Sequence, residues 1–149
     1  MEECKPILNT GLRGFQVATT RISDVDGAKG KLVYRGYLAK DLAGKISFEE
    51  LVYLLLYEKL PSKDELANFK PQLTAERQVA PEIIAALKTR PKDALPMDIL
   101  QSSVAMLAHH DPDTRERSVE AAHRIAIKLI AKFPTIVAAW DRIRNKKEP

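Results

Sequence analysis

Apolar residues recur at Val119, Ala122, Ala126, Leu129, Ile130, Phe133, Val137 and Trp140. That is the spacing of one face of a helix, so residues 118–145 are predicted to be helical. Ile127, Ala131 and Ala138 lie off this stripe. Between Ile125 and Trp140 the segment is therefore apolar nearly all the way round, and such a helix has to be covered on every side. The 149 residues of the chain are too few to cover it completely. Pro134 removes a backbone donor midway, which predicts a kink or two helices in tandem. Ala121, Ala122, Ala126, Ala131, Ala138 and Ala139 leave room for other helices to approach closely.

Upstream the pattern divides sharply. All six glycines fall within residues 11–44: Gly11, Gly14, Gly27, Gly30, Gly36 and Gly44. Residues 17–23 and 31–35 are rich in β-branched positions with partial alternation, and residues 24–30, containing Asp26-Gly27, give a turn signal between them. The expectation is a small antiparallel hairpin followed by a turn at Gly36. After Gly44 the reading is helical. Ser47-Phe48-Glu49-Glu50 is a capping box ahead of the apolar run 51–57, which stops before Leu60-Pro61. Ser62-Lys63-Asp64-Glu65 is a second, opening a helix through Leu66 and Phe69. Pro81 suits the first position of a third helix that ends before Arg90-Pro91. Pro96 opens a fourth, with Asp98 near its positive end and Met97, Leu100, Val104 and Leu107 along one face. Asp111-Pro112-Asp113 separates it from the long helix. There is no heptad array, low-complexity segment or internal repeat.

A chain of 16.7 kDa with 45% hydrophobic and 30% charged residues is expected to be one mainly α-helical domain. Its parts are a mobile terminus (1–10), a glycine-rich hairpin region (11–44) and a helical remainder (45–149). No apolar run reaches the roughly 20 residues of a membrane span, and the first residues lack the apolar core of a secretory signal. With a lone cysteine, Cys4, there is no internal disulfide. A cytoplasmic location is expected. The net charge of +4 permits an anionic partner without demanding a nucleic acid, and neither nucleic acid nor membrane is expected.

The candidate chemistry is thin. Gly27-Ala28-Lys29-Gly30-Lys31 has two residues between its glycines, where a phosphate-binding Walker loop needs four and a Ser or Thr after the lysine. A Gly-x-x-Gly loop also clamps nucleic acid in KH domains, but between helices, whereas this one lies between strand-like runs. A hairpin turn is the simpler account. His109, His110 and Asp111 are conceivable metal ligands. Adjacent helical side chains point about 100° apart, however, and no second cluster completes a shell. His123 suits a structural role. Ser102-Ser103 lack a glycine elbow, and Cys4 has no evident base nearby. Arg142, Arg144, Lys146 and Lys147 suit a helix C-terminus, where cations complement the dipole, with an anionic ligand as the other reading. No catalytic constellation, metal site or bound cofactor follows from spacing.

Taken in order, several stretches resemble the N-terminal part of the citrate synthase family, which includes 2-methylcitrate synthases. They are Gly11-Leu12-Arg13-Gly14, Thr19-Thr20-Arg21-Ile22-Ser23-Asp24-Val25-Asp26-Gly27, and Leu32-Val33-Tyr34-Arg35-Gly36-Tyr37 with Asp41-Leu42-Ala43. There follow Ser47-Phe48-Glu49-Glu50-Leu51-Val52-Tyr53-Leu54-Leu55-Leu56, Leu60-Pro61 and Pro96-Met97-Asp98-Ile99-Leu100. Last come Ala131-Lys132-Phe133-Pro134-Thr135-Ile136-Val137-Ala138-Ala139 and Arg142-Ile143-Arg144-Asn145. Order and spacing hold over residues 11–145.

The resemblance implies an all-α, citrate synthase-like large-domain fold with a short N-terminal β hairpin. It implies a dimer or larger assembly, in which the helices at 96–109 and 118–145 lie between subunits. Met97, Leu100, Val104, Leu107, Ala122, Ala126, Leu129, Ile130, Phe133, Val137 and Trp140 are the interface candidates. Family enzymes join acetyl-CoA or another acyl-CoA to oxaloacetate, using two histidines and an aspartate that match no residue here. The expectation is a small subunit or N-terminal part of such an acyltransferase, inactive without a second chain carrying those groups. It would form a homodimer or a hetero-oligomer with that catalytic chain. The alternative is a non-catalytic regulatory or oligomerisation module that binds itself or an intact synthase. A truncated or decayed form is a third. Three departures stand out: Glu58 and Lys146 replace glycines usual at helix ends, where left-handed geometry is cheap for glycine, and Gln101 replaces a common arginine. Both helix ends are expected to be altered.

Overall fold

Arg35 and Gly36 both take positive φ, 46° and 90°. A two-residue loop with that pair of angles matches the right-handed twist of the strands it joins. It connects β2 (Lys31–Tyr34) to β3 (Tyr37–Leu38), while β1 (Ser23–Asp26) pairs antiparallel with the other side of β2. The computed structural model describes Gln16 and residues 18–149. The expected mobile terminus, Cys4, the Gly11-Gly14 stretch and Val17 lie outside the described residues. The hairpin is thus a three-stranded sheet, and its first strand starts six residues later than the alternation suggested. Asp26 explains the shift: its Oδ1 accepts the Lys29 amide at 3.1 Å, closing the turn after residue 26 instead of at residue 24. Gly30 completes that turn at φ 59°. A one-turn helix, α1 (Ala39–Leu42), packs on β2 and β3 and buries Leu42.

The chain divides into two compact units, the first ending at Ile46 and the second spanning Ser47–Pro149. The second is entirely helical. Its first two helices, α2 (Phe48–Tyr57) and α3 (Lys63–Ala75), both begin with complete capping boxes. The Glu50 carboxylate accepts the Ser47 amide at 2.7 Å and the Glu65 carboxylate accepts the Ser62 amide at 2.9 Å. Prolines stand at the starts of α4 (Pro81–Lys88) and α5 (Pro96–Leu107), where a missing N–H costs nothing. Two 3₁₀ turns, Ala108–His110 and Pro112–Arg115, then lead into α6 (Val119–Arg144), whose first turn is capped by the Ser118 hydroxyl. Pro134 does not divide α6: the helix is continuous through it. Pro71 likewise sits inside α3.

Glu58 and Lys146 keep the left-handed backbone of the glycines they replace, at φ 65° and 57°. The helix ends are therefore not remodelled as expected; the substituted side chains bear the conformation. At the end of α6 the Lys147 amide reaches the Arg142 carbonyl at 2.8 Å and the Lys146 amide reaches Ile143 at 3.1 Å. This is the paired-bond pattern that normally calls for glycine.

The core is strung along α6 in three groups. Val52, Phe69 and Leu73 meet Ile127 and Ala131. Val79, Ile83 and Leu107 meet Ile136. Leu87 and Ile99 meet Ala139, Trp140 and Ile143. Every other helix of this unit thus packs on α6, directly or through a neighbour.

Candidate subunit interface

The inward face of α6 consists of Ala121, Ile127, Ala131, Ile136, Ala139, Trp140 and Ile143. At about 100° per residue, the stripe Val119, Ala122, Ala126, Ile130, Phe133 and Val137 runs along the opposite side. Val119, Ala122, Phe133 and Val137 are exposed, and Ala126 and Ile130 half-buried. The face drawn from the sequence is therefore mainly the outward one, and residues placed off it, Ile127 and Ala131, are the ones the chain buries. Apolar exposure continues at the start of α5, where Leu95 is 66% and Met97 70% exposed, against 54% for Val137. Leu100 and Val104 on α5 are half-buried, as is Leu129 on α6. Leu107 and Trp140, two of the interface candidates, are only 7% and 3% exposed because their own chain already covers them. They belong to the core and offer a partner little surface.

A groove of about 190 Å³ lies between α5 and α6, lined by Pro96, Ile99, Leu100, Ile136, Val137 and Trp140, with Asp141 and Arg144 at its edge. Trp140 closes one wall. Its indole Nε1 is buried without an acceptor among the described residues, and the Lys92 ammonium stands 5.9 Å from its ring centroid. The groove and the outward stripe share Val137, which makes them one continuous apolar surface.

Charged groups fix α6 beneath that surface. Arg124, Lys128 and Lys132 are spaced four apart and so share one side of the helix. Arg124 donates to Asp113 at 2.7 Å, Lys128 to Asp111 and Asp113 at 2.7 Å each, and Lys132 to the Glu76 carbonyl at 2.7 Å. The Arg124 hydrogen bonds, followed by that of Lys128, hold the Asp113 carboxyl well below the usual range. Burial pushes Lys128 down, but its bonds to Asp111 and Asp113 outweigh this and raise it. Lys132 also closes the C-terminal end of α3, whose last carbonyls have no partner within that helix.

The other singled-out residues have structural surroundings. His109 and His110 are exposed on the first 3₁₀ turn. The His123 ring packs edge-on against Tyr57 at 5.6 Å. Ser103, fully buried, donates to the Ile99 carbonyl at 2.7 Å, and Ser102 shares that acceptor at 3.0 Å. The basic residues Arg142, Arg144, Lys146 and Lys147 are exposed. Among the described residues, no helix is long and apolar enough to cross a membrane.

Comparison with known proteins places this arrangement. The family model described as citrate synthase, C-terminal domain, matches residues 11–149. The 2-methylcitrate synthase of Shewanella oneidensis is 37% identical over 145 residues, 97% of this chain and 38% of that protein. The citrate synthase of Acidithiobacillus ferridurans is 37% identical over 150 residues, 97% of this chain and 39% of that protein. Of solved structures, the citrate synthase from Pyrobaculum aerophilum superposes with a TM-score of 0.83 at 37% identity, over 93% of this chain and 37% of that one. The citrate synthase of Thermoplasma acidophilum, solved as a ternary complex with carboxymethyl coenzyme A and oxaloacetate, gives 0.83 at 25% identity, over 92% and 36%. The chain thus spans 38 to 39% of the length of these curated relatives.

Proposed function

Because this chain belongs to the citrate synthase family, we propose that it is the helical, subunit-contacting part of a citrate synthase-type acyltransferase, an enzyme that condenses an acyl-CoA with oxaloacetate. The observation that carries this reading is the apolar stripe that α6 leaves outside its own core. Phe133 near its centre and Met97 at the start of α5 are of the types enriched at interfaces, and Val137 and Leu95 extend the exposed apolar area beside them. The reaction class is supported by the Thermoplasma acidophilum relative, which was solved with a coenzyme A derivative and oxaloacetate. The reacting histidines and aspartate come, in this reading, from polypeptide other than these 149 residues. The partner is a second copy of the chain or a catalytic chain of the same family.

The test is to mix the chain with a candidate catalytic chain and follow thiol release from acetyl-CoA plus oxaloacetate. Co-elution with a gain in activity is expected, and Val137→Lys should abolish both while leaving the helical signal intact. Unchanged activity without co-elution would overturn the reading. The continuous stripe equally favours a regulatory or oligomerisation module. Co-elution with an intact synthase that alters its rate, without complementing a catalytic chain, would select that role instead.

A further inference from the structure

Val33 lies opposite Leu38 and Tyr34 opposite Tyr37. The ladder ends there: Lys31 opens β2, and Lys40 lies beyond β3 on the one-turn helix α1, which packs on β2 and β3. Both lysines line one concavity of about 440 Å³, together with Lys29, Gly30, Leu32 and Leu38. Asp26 faces Lys31 across β1 and β2, yet it is committed elsewhere: Oδ1 accepts the Lys29 amide and Oδ2 pairs with the Lys29 ammonium at 3.2 Å. Among the described residues no carboxylate forms an ion pair with Lys31 or Lys40. Three lysines therefore line one hollow, and among the described residues only Lys29 of the three has a carboxylate partner.

We propose that this hollow binds the phosphate groups of a multiply charged anion. Phosphate oxygens held by Lys31 and Lys40 would give each the anionic partner that it lacks among the described residues, with Lys29 beside them. The turn glycines help. A side chain added at Gly27 or Gly30 would meet no atom within 4 Å, so packing does not demand glycine there, and the loop backbone beside the lysines stays uncovered. Leu38, on the same sheet face as Lys31, offers an apolar contact for the body of an organic phosphate. Inorganic polyphosphate and coenzyme A share the required chemistry. Only the coenzyme A arm rests on the function proposed above.

The experiment titrates tripolyphosphate into the ¹⁵N-labelled full chain at low salt and follows the backbone amides. Shifts confined to residues 27–40 are expected, with binding that weakens as salt screens the charges. Lys40→Glu and Lys31→Gln should each weaken binding about fivefold or more, the effect of losing one close charge pair in water. Lys63→Glu, on the helical unit, should leave it unchanged. Coenzyme A is then added to the tripolyphosphate complex: displacement identifies it as a source of the phosphates, and its failure assigns the hollow to other phosphate compounds. Absence of shifts at the hairpin, or lysine variants that bind like the wild type with an unaltered amide spectrum, would overturn the proposal. Neither result bears on subunit contact through α6.

Discussion

Lys146→Gly should be more stable than Lys146→Ala, and the reason lies in one backbone angle. Lys146 holds φ 57° just beyond α6, with its amide and that of Lys147 turned back onto Ile143 and Arg142. A left-handed conformation costs a residue with a Cβ about 1–2 kcal/mol, and glycine almost nothing. Glycine returns part of that gain, about 0.5–1 kcal/mol, through its greater freedom in the unfolded chain. Removing the ammonium also forfeits a favourable charge near the helix C-terminus, worth about 0.3–1 kcal/mol. The comparison that isolates backbone geometry is therefore Lys146→Gly against Lys146→Ala, since both lack the charge. Glycine should be the more stable by about 1 kcal/mol, or a few degrees in Tm for a unit of this size. Urea unfolding followed at 222 nm and by Trp140, the chain's one tryptophan, gives both midpoints. Equal midpoints with equal slopes would show that Lys146 bears no strain and refute the reasoning.

Acid should weaken the α2–α3 connection first. Hydrogen bonds from the Lys59 ammonium and then the Ser62 amide hold Glu65 down at about 2. Because the folded value is depressed, its stabilisation is complete above the unfolded carboxylate range and is lost as pH falls from about 4.5 towards 2. Urea midpoints of Glu65→Gln should therefore vary less than wild type across that window, and parallel curves would contradict this. Ser62→Ala removes an N-cap acceptor and should cost about 1 kcal/mol in the same assay. Ile136→Ala should cost about 2–5 kcal/mol, since Ile136 is fully buried among Val79, Ile83 and Leu107. A loss below 1 kcal/mol would mean that its surroundings collapse around the gap.

Helix starts were legible because their signals are local. Ser47 with Glu50, Ser62 with Glu65, Pro81 and Pro96 each mark an end within one turn of chain, and each helix begins there. The first strand was misplaced because the side chain that closes the turn, Asp26, was read as part of the loop. The orientation of α6 was not legible for a different reason. Apolar side chains on every side leave periodicity with nothing to choose between, and Ile127 and Ala131 turn inward while Phe133 and Val137 turn outward. The interface candidates fared accordingly: those on the outward stripe stay available, while Leu107 and Trp140 went to the core.

The ladder Arg124, Lys128 and Lys132, pinned to Asp113, Asp111 and Glu76, adds a polar bias to the packing that sets the rotation of α6 about its own axis. Hydrocarbon contacts are non-directional, whereas these pairs hold only where donor and acceptor meet. Lys128→Met with Lys132→Met should therefore leave far-ultraviolet dichroism intact while blurring the near-ultraviolet signal of Trp140. The polar latch thus acts as the keyway that decides which hydrocarbon the outside world meets.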